Sequence, residues 1–64
     1  MKWEEYSERL DRLQKQIAKD SQAQQQAQDA GDFAKSAKLQ AEIAARIDAA
    51  ERLKSEARAA GLPV

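Results

Sequence analysis

The most constraining feature of this sequence is the spacing of the large apolar residues near its start. Trp3, Tyr6, Leu10, Leu13 and Ile17 follow one another at steps of three and four. Such steps place side chains on one narrow stripe of an α-helix, the pattern of helices that pack on other helices at shallow angles. Strong helix formers, Ala and Gln above all, dominate the chain, and no alternation typical of strands occurs. We therefore predict an all-α protein.

Turn signals stand together at the midpoint of the 64-residue chain. Gly31 suits the left-handed position that ends a helix, and Asp32 suits the N-cap of the next one. These two adjacent residues predict a two-helix antiparallel hairpin of coiled-coil type. A single continuous helix that absorbs Gly31, at a cost of about 1 kcal/mol, stays open as an alternative. The predicted single domain 1–64 comprises a helix 2–29, a turn 30–32, a helix 32–60 and a tail 61–64.

The second predicted helix carries two stripes. One stripe runs through Leu39, Ile43, Ile47, Ala50, Leu53 and Ala57, and the other runs through Phe33, Ala37, Ala41 and Ala44. If the chain reverses at residues 30 and 31, facing residues have numbers that add to about 61, because both helices rise equally per residue. Leu13 is then expected to face Ile47. Tyr6 is expected to face Leu53 and Ala57.

Polar residues interrupt the stripe of the first helix. Continuing its rhythm beyond Ile17 reaches Asp20 and Gln24, where apolar side chains would stabilise more. Polar residues at such positions can set register or oligomeric state at a cost in stability. We expect a register-setting contact in this half of the hairpin. On the outer surfaces, five acid-before-base pairs four residues apart predict local ion pairs: Glu5–Arg9, Glu8–Arg12, Asp11–Lys15, Glu42–Arg46 and Asp48–Arg52.

A hairpin of this size covers only part of its apolar stripes, so we predict a homodimer that forms a four-helix bundle, in parallel or antiparallel orientation. The protein is then a structural or protein-interaction module. The alternative is a small adaptor or inhibitor that binds a larger protein through its stripe or its aromatic end. The residues predicted at the self-association or partner interface are Tyr6, Leu10, Leu13, Ile17, Phe33, Leu39, Ile43, Ile47 and Leu53.

The open end of the hairpin is a second candidate for a partner patch. It brings together Trp3, Tyr6, Leu62 and Val64, and Trp and Tyr are favoured at the centres of interfaces. The competing interpretation is that these four residues simply close the end of the hairpin as a small cluster.

Composition argues against several functional classes. The chain has no histidine and no cysteine, which removes the usual general base and the usual metal ligands. We therefore expect no enzyme activity, no catalytic residues, no metal and no cofactor. No segment is apolar enough for a membrane span, and the charged start "MKWEEYSERL" predicts no secretory leader, so we expect a cytoplasmic protein.

Nucleic acid is the third candidate partner, and the overall charge of the chain argues against it. Eleven basic and eleven acidic residues give a formal net charge of zero, whereas most binders of nucleic acid carry a basic excess. A local basic surface could still form, since Arg9, Arg12, Lys15 and Lys19 lie away from the first stripe. Acidic residues are interleaved with these four.

The segment "GDFAKSAKLQAEI", residues 31–43, resembles the second half of the UVR motif, a short helical hairpin of bacterial excision-repair and protease-adaptor proteins. The matching residues are Ala27, Phe33, Lys35, Ala37, Leu39, Glu42 and Ile43. Gly31, Gln40 and Ala41 depart from that pattern. The resemblance implies protein binding rather than catalysis. In its length and in its central bend, the chain is also similar to the plasmid-encoded Rop protein, a dimeric bundle that binds paired RNA loops.

Overall fold

The computed structural model describes residues 1–64 and contains two α-helices, α1 (Trp3–Asp29) and α2 (Phe33–Ala59). The helices pack on each other along their length as a hairpin that measures 46 × 15 × 12 Å. The predicted all-α hairpin is confirmed, and the continuous helix is wrong. The observed helix ends lie within one residue of the predicted ones.

The turn contains the residues that were predicted there from the sequence. Gly31 adopts a φ of 75°, in the left-handed region where a side chain would be strained. The amide of Asp32 donates to the carbonyl of Ala27 over 2.8 Å, which satisfies one of the free carbonyls at the end of α1. The carboxylate of Asp32 in turn accepts from the amide of Lys35 over 3.1 Å and caps α2. Gly61, with a φ of 92°, ends α2 in the same manner.

Each helix contributes one seam to the hairpin, with steps of three and four throughout. These seam residues are buried or half-buried: Tyr6, Leu10, Leu13, Ile17, Asp20, Gln24 and Ala27 on α1, and Ser36, Leu39, Ile43, Arg46, Ala50, Leu53 and Ala57 on α2. Tyr6, Leu53 and Ala57 form the most deeply buried cluster, which confirms the predicted partners of Tyr6. The best-packed part of the molecule is therefore the open end, away from the turn.

The prediction for Ile47 is wrong. Its side chain is 48% exposed and does not lie in the seam opposite Leu13. The continuous rhythm of three and four along α2 passes from Ile43 to Arg46, one residue before Ile47, and Arg46 is half-buried. An arginine was overlooked as a seam residue because its charge marks it as a surface residue, whereas its long side chain can reach a partner from that position.

The predicted register is wrong by about one helical turn for the polar side chains. The contacts between helices join Asp20 to Arg46, Gln24 to Gln40 and Arg9 to Glu56. These partners lie three to five residues further along α2 than the predicted register places them. Two causes combine: the connection uses three residues outside both helices, and side chains on a helix lean towards its N-terminus, which on α2 means towards the turn.

Candidate interaction surface

The two sides of the hairpin differ in charge. On one side, a groove of about 410 Å³ runs between the helices, with Arg9 and Arg12 on α1 and Ala49, Arg52 and Glu56 on α2. The lines of residues that flank the seams on this side form the charged face. Five of these eight residues are charged: Lys2, Arg9, Gln16, Ala23, Lys35, Glu42, Ala49 and Glu56.

The opposite side carries the residues that flank the seams on their other edge. Helical periodicity places every seventh residue on one line, so α1 and α2 each contribute one line of four residues. These eight residues form the low-charge face: Ser7, Gln14, Ser21 and Gln28 from α1, and Phe33, Gln40, Ile47 and Lys54 from α2. Only Lys54 among them is charged, so this face can be covered by another protein surface at little cost in charge desolvation.

Large apolar side chains are exposed on the low-charge face. Phe33 is 73% exposed and Ile47 is 48% exposed, and they are fourteen residues apart on the same line of α2. Ala37 and Ala44, the next line outward on α2, are also exposed. These four residues form the apolar strip of α2. Its small and large side chains together offer a surface against which another helix can pack closely.

The sites predicted for self-association thus divide into two groups. Within the hairpin, Tyr6, Ile43 and Leu53 are buried, while Leu10, Leu13, Ile17 and Leu39 are half-buried. Phe33 and Ile47 take no part in closing the hairpin, which leaves them accessible to a partner. The half-buried residues border the low-charge face or the groove, so their exposed edges would gain cover from any helix laid across either side.

The polar half of the seam is held by side-chain contacts between the helices. Arg46 forms a hydrogen-bonded ion pair with Asp20, whose overall exposure is only 9%. One turn closer to the bend, Gln24 donates to the side-chain oxygen of Gln40 over 2.6 Å. No buried side-chain polar atom lacks a partner. The segment expected to hold a register-setting contact therefore holds two specific polar contacts between the helices.

The predicted patch at the open end is divided by the fold. Tyr6 is only 5% exposed, and Leu62 and Val64 pack against its cluster with Leu53 and Ala57. Tyr6 is therefore unavailable to a partner, and the patch of four residues is wrong as a continuous surface. Trp3 is the only one of the four in the exposed class, at 52% exposure, and its ring centre lies 5.6 Å from that of Tyr6.

The basic residues considered for nucleic acid are partly engaged with acids. Arg9 lies 3.8 Å from Glu56 across the groove, and Lys15 pairs with Asp11 over 2.9 Å. Of the five local ion pairs predicted, Asp11–Lys15 and Asp48–Arg52 are formed. Arg9 and Arg46 instead reach across to the other helix. These contacts leave the groove with mixed charge.

Sequence reasoning missed three residues that matter for the packing. Arg46 and Ser36 lie on the seam of α2, and Gln40 bonds to Gln24. A strict alternation of steps of three and four, extended in both directions from Leu39 and Ile43, would have found the first two. Gln40 had no such signal, because it lies beside the seam and its role depends on the partner helix.

Comparison with known proteins returned no matching family model, no matching curated protein and no matching solved structure. The UVR and Rop resemblances therefore stay predictions from the sequence. Neither helix contains a stretch apolar enough to cross a membrane. The structure has no group of three acidic, histidine or cysteine side chains placed to hold a metal ion.

Proposed function

We propose that this protein is a non-enzymatic interaction module that self-associates through its low-charge face into a dimer with four helices. The observation that carries the proposal is the exposure of Phe33 and Ile47 on the one side of the hairpin that has almost no charge. Burying these side chains removes apolar area from water, which is the main driving force of association. Two copies also cover the half-buried seam residues Leu10 and Ile17 along the same side.

The limited core of the hairpin supports the same proposal. Only seven of 64 residues are buried, and no large side chain is completely buried. Domains of this size stabilise themselves with disulfides, metals or association, and the chain has no cysteine. A second hairpin on the low-charge face supplies the missing layer.

Ile47→Glu tests the proposal directly. Ile47 lies outside the seam, so the hairpin is expected to keep its helicity while the dimer is lost, because the variant buries an unpaired charge at the interface. Sedimentation equilibrium is expected to give twice the 7.1 kDa chain mass for the parent protein and the single mass for the variant.

Ala45→Glu is the matched control. Ala45 is exposed and lies on the same line of α2 as Arg52, which lines the groove, so the same new charge there is expected to leave the dimer intact. A parent protein that remains a stable, folded monomer across a wide concentration range would overturn the proposal. Recovery of a stoichiometric foreign protein, lost upon Ile47→Glu, would instead favour the adaptor alternative for the same face.

A further inference from the structure

We infer that the partner on the low-charge face is a second copy of this chain in antiparallel orientation, with α2 packed on α2. This inference rests on the proposed function and adds the orientation of the two hairpins, which decides which side chains meet. Two hairpins stacked face to face can be related by two kinds of two-fold axis. With an axis along the hairpin, both turns lie at the same end. With an axis across the hairpin, each turn lies at the partner's open end.

The two arrangements bring different helices together. When the turns lie at the same end, α2 of one copy packs on α1 of the other, at equal height. The exposed line of α1 consists of Ser and Gln residues, and with the register observed inside the hairpin Ile47 would lie between Gln14 and Ser21 of the other copy, with Phe33 beyond Gln28 near the turn. Ile47 would cover side-chain amide and hydroxyl groups whose hydrogen bonds to water would be lost without replacement.

When the turns lie at opposite ends, α2 packs on α2 and α1 packs on α1. The middle of α2 is Arg46, and an axis near it places Ile47 of each copy against Ala44 of the other. A large side chain then fits beside a small one twice, once on each side of the axis. The Ser and Gln lines of the two α1 helices face each other and can exchange hydrogen bonds. The half of the apolar strip that contains Ala44 and Ile47 is thus complementary to itself, whereas Phe33 and Ala37 lie beside Arg58 and Lys54 of the other copy.

Charge is also compatible with this orientation. Lys54 of the low-charge face, and Arg58 on the line next to it, lie beside the partner's turn, where Asp32 is exposed. In the other orientation Lys54 would approach Asp11 of the partner, but Asp11 already pairs with Lys15. Exposed ion pairs contribute little to association in either case. The contact between apolar side chains therefore decides the orientation.

Spin-label distances test the orientation, because the chain has no cysteine of its own. Ala34→Cys lies near the turn and Ser55→Cys near the open end, and both positions are exposed on a line of α2 that belongs neither to the seam nor to the low-charge face. In the antiparallel dimer, labels at the same site are separated by about 25 to 35 Å along the helix axis. A mixture of the two variants brings unlike labels within about 5 Å along that axis.

The opposite result identifies the other orientation. Identical labels at equal height along the helix axis, with unlike labels about 30 Å apart along it, would overturn the antiparallel inference and leave the proposed dimer standing. A protein that sediments as a monomer and shows no intermolecular distance would overturn both. Circular dichroism of the labelled variants checks that each keeps the helix content of the parent protein.

Discussion

Asp20 and Arg46 are the residues at which this fold departs most from an apolar seam. The side chain of Asp20 is 12% exposed, whereas that of Arg46 keeps 33% of its surface in water. Removal of Arg46 and removal of Asp20 therefore have unequal effects on stability. An arginine left alone can turn towards solvent, but a carboxylate left alone stays largely buried without its charge partner.

We predict that Arg46→Leu destabilises the protein more than Asp20→Leu does. Loss of Arg46 should lower the free energy of unfolding by about 2 to 3 kcal/mol, since it leaves the carboxylate of Asp20 buried without its charge partner. The double variant Asp20→Leu with Arg46→Leu should be at least as stable as the parent, because two apolar side chains then complete the seam. Urea unfolding at one fixed protein concentration measures all three variants. Equal losses of unfolding free energy in the two single variants would contradict the deeper burial of Asp20 relative to Arg46.

Gly31 is the residue whose backbone makes the reversal possible. We predict that Gly31→Ala lowers the free energy of unfolding by about 1 to 2 kcal/mol, the cost of a left-handed conformation for an L-residue. Nothing lies within 4 Å of the position where the new methyl group would stand, so the cost is conformational and not steric. Gly31→Asn is the matched comparison, because Asn tolerates this conformation better, and it should lose less in the same thermal unfolding measurement.

The two helices differ in how their ends are stabilised. α2 begins with the Asp32 cap and ends with Arg58 in its last turn, and Arg58 also donates to the carbonyl of Val64 over 2.9 Å. α1 has Lys2 at its N-cap position, where the side chain makes no capping hydrogen bond, and has no basic residue in its last turn. The start of α1 is therefore the least stabilised helix end, although its first turn contains two glutamates whose negative charges interact favourably with the positive end of the helix dipole.

Lys2→Asp is predicted to stabilise the protein. An aspartate at this position can accept the free amides of the first turn, which typically contributes about 1 kcal/mol, and it also removes a positive charge from the positive end of the helix dipole. Lys2→Ala separates the two effects, because it removes the charge without adding a cap. Thermal unfolding should rank the Lys2→Asp variant above the Lys2→Ala variant, and both above the parent protein. Equal stability of the two variants would show that charge alone is responsible.

At the scale of the whole molecule, stability and assembly are coupled. In the proposed dimer, a hairpin with seven buried residues and an exposed apolar strip is expected to gain much of its stability from the second copy. The predicted interface contains few charges, whereas nucleic-acid binding depends on phosphate contacts that salt weakens strongly. Salt therefore distinguishes the two kinds of partner.

We predict that the melting temperature rises with protein concentration and changes little with salt. Mass action favours the folded dimer as concentration increases, and an interface without dense charge is insensitive to screening. Circular dichroism melts over about a hundredfold range of protein concentration, at low and high salt, measure both dependences. A melting temperature independent of concentration would contradict the dimer. Strong, salt-sensitive retention on heparin would favour a nucleic-acid partner.

Local chemistry determined the elements of this protein. Strong helix formers, Gly31 and Asp32 specify two helices and their turn, because propensity and capping act within a few residues. The spacing of the aromatic and aliphatic residues of α1 also identifies the side that packs, including Tyr6 against Leu53 and Ala57. Even the polar interruption at Asp20 and Gln24 is visible from the sequence, as is its potential to make a specific contact.

The tertiary structure decided between two patterns in the sequence of α2, because hydrophobicity places Ile47 in the seam and strict steps of three and four place Arg46 there. The choice of Arg46 over Ile47 depends on the position of Asp20 on the other helix, and hydrophobicity alone favours the wrong residue. The same placement exposes Ile47 beside Phe33 on the side with least charge, so the candidate interface follows from packing between helices rather than from either helix separately. Helix propensity and capping act within one segment, so the sequence determined the helices and the turn. Register depends on two surfaces in contact, so the tertiary structure determined which residues meet.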